Sequence, residues 1–175
     1  MDSSNTHNPA PGSSLARVLV VADWSVDAEA VIEACERRNR EAPAAFALVV
    51  PAWLHGIDWA GDPRASVPCA HRQLANVTAR AAAAGRTFDA ADVGDPEPVA
   101  ATCDALADWP ADEILICARG SRVPHLFDLT HRVERVSGLP VQRVSLPVPS
   151  SSNGTRRSWL RQRNGHCALD QPQAA

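Results

Sequence analysis

The chain has 175 residues, enough for one domain with tails, and 45% of them are hydrophobic, enough to fill a core. Its formal net charge of −3 is uneven: residues 147–175 hold Arg156, Arg157, Arg161 and Arg163 against Asp170, a surplus of +3 that leaves −6 on the remainder. An acidic body argues against a nucleic-acid-binding fold, whose footprint is a basic face, and no apolar run approaches the ~20 residues that span a bilayer.

Residues 1–14, MDSSNTHNPAPGSS, are polar, lack the apolar stretch of a signal peptide and are expected to be disordered. The first strand is expected at RVLVVAD, 17–23, an apolar run of the kind buried on both faces of a sheet. Ser25 then reads as the N-cap of a helix that buries Ala28, Val31, Ile32 and Cys35 at i, i+3, i+4 and i+7. A second apolar strand, AFALVVPAW, covers 45–53. The stretch 54–64, with Gly56, Gly61 and Pro63, reads as a loop. A helix over 66–84 places Leu74, Val77, Ala81 and Ala84 on one side and stops at Gly85.

TFDAADV, 87–93, alternates apolar with acidic residues and reads as an edge strand. In GDPEP, 94–98, Asp95 as N-cap and Pro96 at the first helical position predict a helix start, since Pro needs no partner there for its missing N–H. That helix should bury Val99, Cys103 and Leu106 and end near Trp109. DEILICA, 112–118, is the fourth strand, followed by a helix over 129–137 and a last strand, PVQRVSL, over 140–146. Beyond Pro147 the Ser-, Gly- and Arg-rich tail is expected to be disordered. Strands alternating with helices require crossovers, hence an α/β fold with a five-stranded parallel sheet and helices on both faces.

Candidate functional residues gather at strand ends, and each has a plainer role beside the functional one. Asp23 could bind a ligand at the carboxyl end of the first strand, where open α/β sheets place their sites, or brace the turn before Ser25. Arg119 and Arg122 could hold phosphate or be solvated, and His131 could sense pH or lie on the surface. Cys117 could be a redox thiol or a small buried hydrophobe. His55, Asp58, Asp62 and His71 match no metal-site spacing, while Trp53 and Trp59 could stack on a base or cover the sheet end. The five cysteines form no C-x-x-C pair, an odd number that fits reduced thiols and a cytoplasmic protein. No phosphate-binding G-x-x-x-x-G-K-[ST] loop or G-x-S-x-G elbow occurs, and no catalytic constellation is evident.

RVLVVADWS, VGDPEPVAATCDAL, DEILICARG and HRVERVSGLPVQRVSLP stand in the order of the conserved stretches of universal stress proteins, and residues 17–146 resemble that family. The resemblance implies a three-layer Rossmann-like sandwich, sheet order 3-2-1-4-5, spanning 15–147 between the tails 1–14 and 148–175. It implies a non-enzymatic cytoplasmic stress-response protein, with adenosine contacts at Asp23, Ser25 and Val49. In the nucleotide-binding branch the fourth-strand loop reads Gly, two residues, Gly, nine residues, Gly, then Ser or Thr. Those positions fall here on Cys117, Gly120, Thr130 and His131, so only Gly120 matches. Side chains at Cys117 and Thr130 stand where backbone would meet phosphate oxygens, and Pro124 removes a donor. No cofactor is certain; weak binding of ATP or AMP is the expectation, with Arg119, Arg122 and His131 supplying charge in place of backbone donors. The apolar last strand offers an edge for homodimerisation. The alternatives are a pure interaction module with a vestigial site and, less favoured, a nucleotide-using α/β enzyme.

Overall fold

The computed structural model describes residues 15–53, 66–119 and 125–146. The tails, residues 54–65 and residues 120–124 lie outside the described residues, and with them the two expectations of disorder. Nine elements follow in chain order: β1 (Ala16–Ala22), α1 (Ala28–Glu41), β2 (Ala44–Pro51), α2 (Val67–Ala83), β3 (Ala90–Gly94), α3 (Pro98–Asp108), β4 (Glu113–Arg119), α4 (His125–Ser137) and β5 (Val141–Leu146).

All strands pair in parallel, in the order β3-β2-β1-β4-β5. β1 is central because it is apolar on both faces. Val18, Val20 and Ala22 enter the core layer shared with α1 and α2, while Leu19 and Val21 enter the layer that holds Val99 and Ala101 of α3 and Leu129 and Val133 of α4. The period of two along one strand thus feeds two separate cores. β3 takes one edge, as its mixed pattern predicts, and all of Ala90, Ala91 and Asp92 are exposed.

Three helix starts differ from the expectations, two of them for a visible local reason. α1 begins at Ala28 with Asp27 as N-cap, and Ser25 sits instead in the preceding turn. α3 begins at Pro98 rather than Pro96, because the Glu97 carboxylate accepts from the Ala100 N–H at 2.7 Å and Asp95 accepts from the Glu97 N–H at 2.7 Å. α4 begins at His125, one turn ahead of the expected Leu129. The end of α2 is as expected: Gly85 takes φ 68°, with Gly85 N–H to Ala82 O at 3.0 Å and Arg86 N–H to Ala81 O at 2.9 Å. Those two bonds make a Schellman motif.

The amino end of the sheet is clasped by polar groups. Arg17 and Asp112 exchange two bonds of 2.8 Å, and the Arg17 guanidinium lies 4.2 Å from the Trp109 ring centroid. Arg38 of α1 pairs with Glu113 at the start of β4.

Candidate functional site

The strand order reverses beside β1: β2 follows it on one side in sequence, and β4 lies on the other after a long crossover. Open α/β sheets bind ligands at the carboxyl ends of strands flanking such a point. Asp23 stands there, first residue past β1. Its N–H donates to Cys117 O at 3.0 Å, which prolongs the β1–β4 ladder, and its carbonyl accepts from Val26 N–H at 3.1 Å. Carboxylate oxygen Oδ1 accepts from Ser25 N–H at 2.8 Å, an Asx turn. With only 7% exposure, Asp23 is a buried acid built into this turn. Ser25 is half-buried, and the turn explains why it does not cap α1.

Neighbouring groups tie the other strand ends to this turn. Trp24 Nε1 donates to Trp53 O at 2.7 Å, joining the ends of β1 and β2. Gln73 of α2, itself buried, donates through Nε2 to Val26 O at 2.9 Å. The Ser66 hydroxyl donates to Ala52 O, and Ala52 N–H donates to Gly94 O at 3.2 Å. The first-strand turn is therefore held from three sides, and a ligand there would meet a preorganised surface.

The remaining sequence-derived candidates fall elsewhere. Val49 lies two residues before the end of β2, is 3% exposed and packs in the core layer with Val21 and Ile116, so its side chain offers no surface to an adenosine. Cys117 is fully buried in β4, and burial, reinforced by the nearby Cys35, pushes its thiol far above the usual range. Burial also pushes Cys35 up to about 12. Protonated thiols in this layer are poor nucleophiles and behave as small hydrophobes.

Thr130 and His131 lie in the second turn of α4, not at a loop–helix junction. Their N–H groups belong to the helix's own i→i−4 ladder and cannot cradle phosphate. Thr130 Oγ1 is buried with no partner among the described residues, while His131 is exposed. Arg119 ends β4 opposite Leu146; its side chain, Gly120 and Arg122 lie outside the described residues, as do His55, Asp58, Trp59 and Asp62. His71 is exposed on α2, and the described residues hold no group of three or more His, Cys, Asp or Glu suited to a metal ion. Sequence reasoning missed Trp24, Ser66 and Gln73, which have no motif of their own; the one local signal was that Trp24 adjoins Asp23.

No family model matches the chain, and no curated protein does. Solved structures do. A protein from the universal stress protein family from Burkholderia pseudomallei superposes with a TM-score of 0.55 at 21% identity, over 77% of this chain and 98% of that one. The fold is that of the universal stress proteins. A universal stress protein in complex with cAMP gives a TM-score of 0.51 at 19% identity, over 76% of this chain and 99% of that one. The universal stress protein fold accounts for the strand order and for both helical layers. At this level of identity the match is one of fold.

Proposed function

We propose that this chain is a non-enzymatic, cytoplasmic stress-response protein of universal-stress-protein type that binds an adenine nucleotide weakly and pairs with itself through β5. The observation that carries the reading is Asp23, an acid at 7% exposure braced at the switch point of a fold whose solved examples include one in complex with cAMP. A carboxylate at that place can accept from sugar hydroxyls or a base amine, the neutral end of a nucleotide. Thr130 and His131, inside α4, leave their backbone donors to the helix, so a ligand with few phosphates suits the site better than ATP. No helix among the described residues is long and apolar enough to cross a membrane.

Calorimetric titration of the full chain with cAMP, AMP and ATP tests this. Micromolar binding of cAMP or AMP is expected, with ATP no tighter. Asp23→Asn keeps an oxygen for the Ser25 N–H and removes the charge; it should weaken binding roughly tenfold, the size of a lost charge-assisted hydrogen bond. Absence of heat from all three, with the domain folded, would leave the interaction-module reading in its place.

A further inference from the structure

We propose that a cavity at the amino end of the sheet, walled by Phe46 and Phe88 and rimmed by Arg86, binds a small aromatic monocarboxylate. It lies at the opposite end of the strands from Asp23, and the proposal does not depend on nucleotide binding there.

The cavity is enclosed by α1, the start of β2 and the link from α2 to β3, and measures about 310 Å³. That is the lower end of the range for small-molecule sites, about 300–1,000 Å³, and suits one ring with a short side chain. Its floor is apolar: Ile32, Cys35 and Ala81 are buried in the core layer of α1 and α2. Phe46 and Phe88 pack against the same layer, line the cavity and remain half-buried. The Asp89 N–H donates to Phe46 O at 2.8 Å, so the backbones that carry the two rings are tied together. Walls fixed in this way meet their ordering cost on folding, before any ligand arrives. Aromatic walls favour a ring over an alkyl chain, since ring pairs gain more than the area they bury.

The rim decides the charge of the ligand. Gly85 takes φ 68° and the Arg86 N–H donates to Ala81 O at 2.9 Å, which fixes the Arg86 backbone beside the opening. Arg86 Nε lies 3.6 Å from a Glu36 carboxylate oxygen, a loose pair between exposed side chains. Among the described residues nothing else pairs with the guanidinium, which leaves its two Nη groups as donors for a ligand. Asp89 also lines the rim and opposes an anion. The charges felt at Cys35 on the floor are nevertheless those of Arg86 and Glu36, and the guanidinium has the larger effect. The rim therefore presents a net positive charge to the interior. A carboxylate meets a guanidinium through two parallel bonds, and this combination of fork and ring walls selects an aromatic acid over a neutral ring or a bare anion.

The test is titration of the full chain with phenylacetate, 2-phenylethanol and acetate, followed by NMR of backbone amides and aromatic rings. The chain has three Phe and no Tyr, so the wall rings are few enough to assign. Phenylacetate should bind saturably at submillimolar concentration, with magnetisation transfer from its ring to Phe46 and Phe88. 2-Phenylethanol, similar in size but uncharged, should bind about tenfold more weakly, the size of a lost charge-assisted hydrogen bond. Acetate, which has no ring, should not bind. Arg86→Gln removes the cation from an exposed position. It should bring phenylacetate down to the affinity of the alcohol and leave the alcohol's own affinity unchanged, a pattern that general loosening of the cavity would not give. The proposal is overturned if phenylacetate does not bind, or if the alcohol binds the native protein as tightly. It is equally overturned if the ligand's contacts fall at the carboxyl ends of the strands, or if Arg86→Gln binds phenylacetate as the native protein does. AMP added to the phenylacetate complex should displace nothing, and displacement would mean that the two ligands share the Asp23 site. Failure of AMP to bind at all would remove the nucleotide reading and leave this site standing.

Discussion

At Gly94 a single hydrogen separates two layers of the fold. A methyl added there would lie 2.5 Å from Ala101 Cβ and 2.9 Å from Val49 Cγ2, so α3 or β2 must shift. Gly94→Ala is expected to cost about 1–3 kcal/mol, the price of overpacking a tight contact, read as a lower urea midpoint. Gly138→Ala meets no atom within 4 Å but holds φ 69°, so its cost should be near 1 kcal/mol from left-handed strain alone. The buried thiols make a second prediction. A thiol is charged when deprotonated, so burial, which raises Cys35 from 9.0 to about 12, makes the folded state bind more protons than the unfolded state in that interval. The stability involved is complete below pH 9 and is lost as pH rises toward 12. Cys117 shifts in the same direction. The chain has neither Lys nor Tyr, so cysteines are the only side chains that titrate in this window. Urea unfolding at pH 8 and pH 10.5 should show stability falling by about 1 kcal/mol per pH unit for each buried thiol. The double variant Cys35→Ala, Cys117→Ala should flatten that slope, and an unchanged slope would mean the thiols are not its source. At this scale Asp23 was legible because an acid ending an apolar run is conspicuous. Its bond to Ser25 was not, because Ser25 reads equally well as a helix cap.

The start of α3 shows how two neighbouring signals compete within one element. GDPEP holds two prolines and two acids, and either Asp95–Pro96 or Glu97–Pro98 satisfies the rule for an N-cap followed by proline. The chain adopts the second, with the Glu97 side chain on Ala100 N–H and Asp95 bracing Glu97. Glu97→Ala should therefore cost about 1 kcal/mol, the usual value for a lost cap. The Glu97–Arg132 pair at 3.1 Å joins side chains 45% and 43% exposed, so Arg132→Ala should cost less than about 0.5 kcal/mol. Equal losses in both variants, measured by chemical denaturation, would assign the effect to the ion pair instead of the cap. Four strands were legible to within two residues, because a buried strand leaves an apolar run such as RVLVVA or EILICA; the exposed edge strand β3 has no such run and begins at Ala90, three residues after the expected Thr87. Helix starts were less so. At α4 the apolar positions Leu129, Val133 and Val136 pointed to a start at Leu129, whereas the helix begins at His125. The Trp24–Trp53 bond, between residues 29 apart, exists only once β1 and β2 have paired.

The whole sheet has two edges, and they differ in what they offer a second copy. A residue in a parallel strand points its N–H and C=O to the same side. At β3, Gly94 O accepts from Ala52 N–H, so Gly94 faces β2 and Val93 faces outward. The Asp92 carboxylate already accepts from that outward Val93 N–H at 2.7 Å, and its charge discourages a further strand. At β5, Pro140 O accepts from Ile114 N–H at 3.0 Å, which turns residues 140, 142, 144 and 146 toward β4 and leaves 141, 143 and 145 facing outward. No strand among the described residues pairs with that side. α4 packs on β5 and carries the exposed Val136. Self-pairing through β5 should therefore depend on the outward N–H of Ser145. Ser145→Pro removes that donor while sparing the bonds to β4, and the exposed serine side chain is no part of the core. Light scattering at micromolar concentration should give twice the chain mass of 18.7 kDa for the native protein and the single mass for Ser145→Pro, with little change in melting temperature. A native protein that stays monomeric across that range ends the β5 reading. A Ser145→Pro protein that remains dimeric moves the interface off this edge, to a face where backbone pairing plays no part.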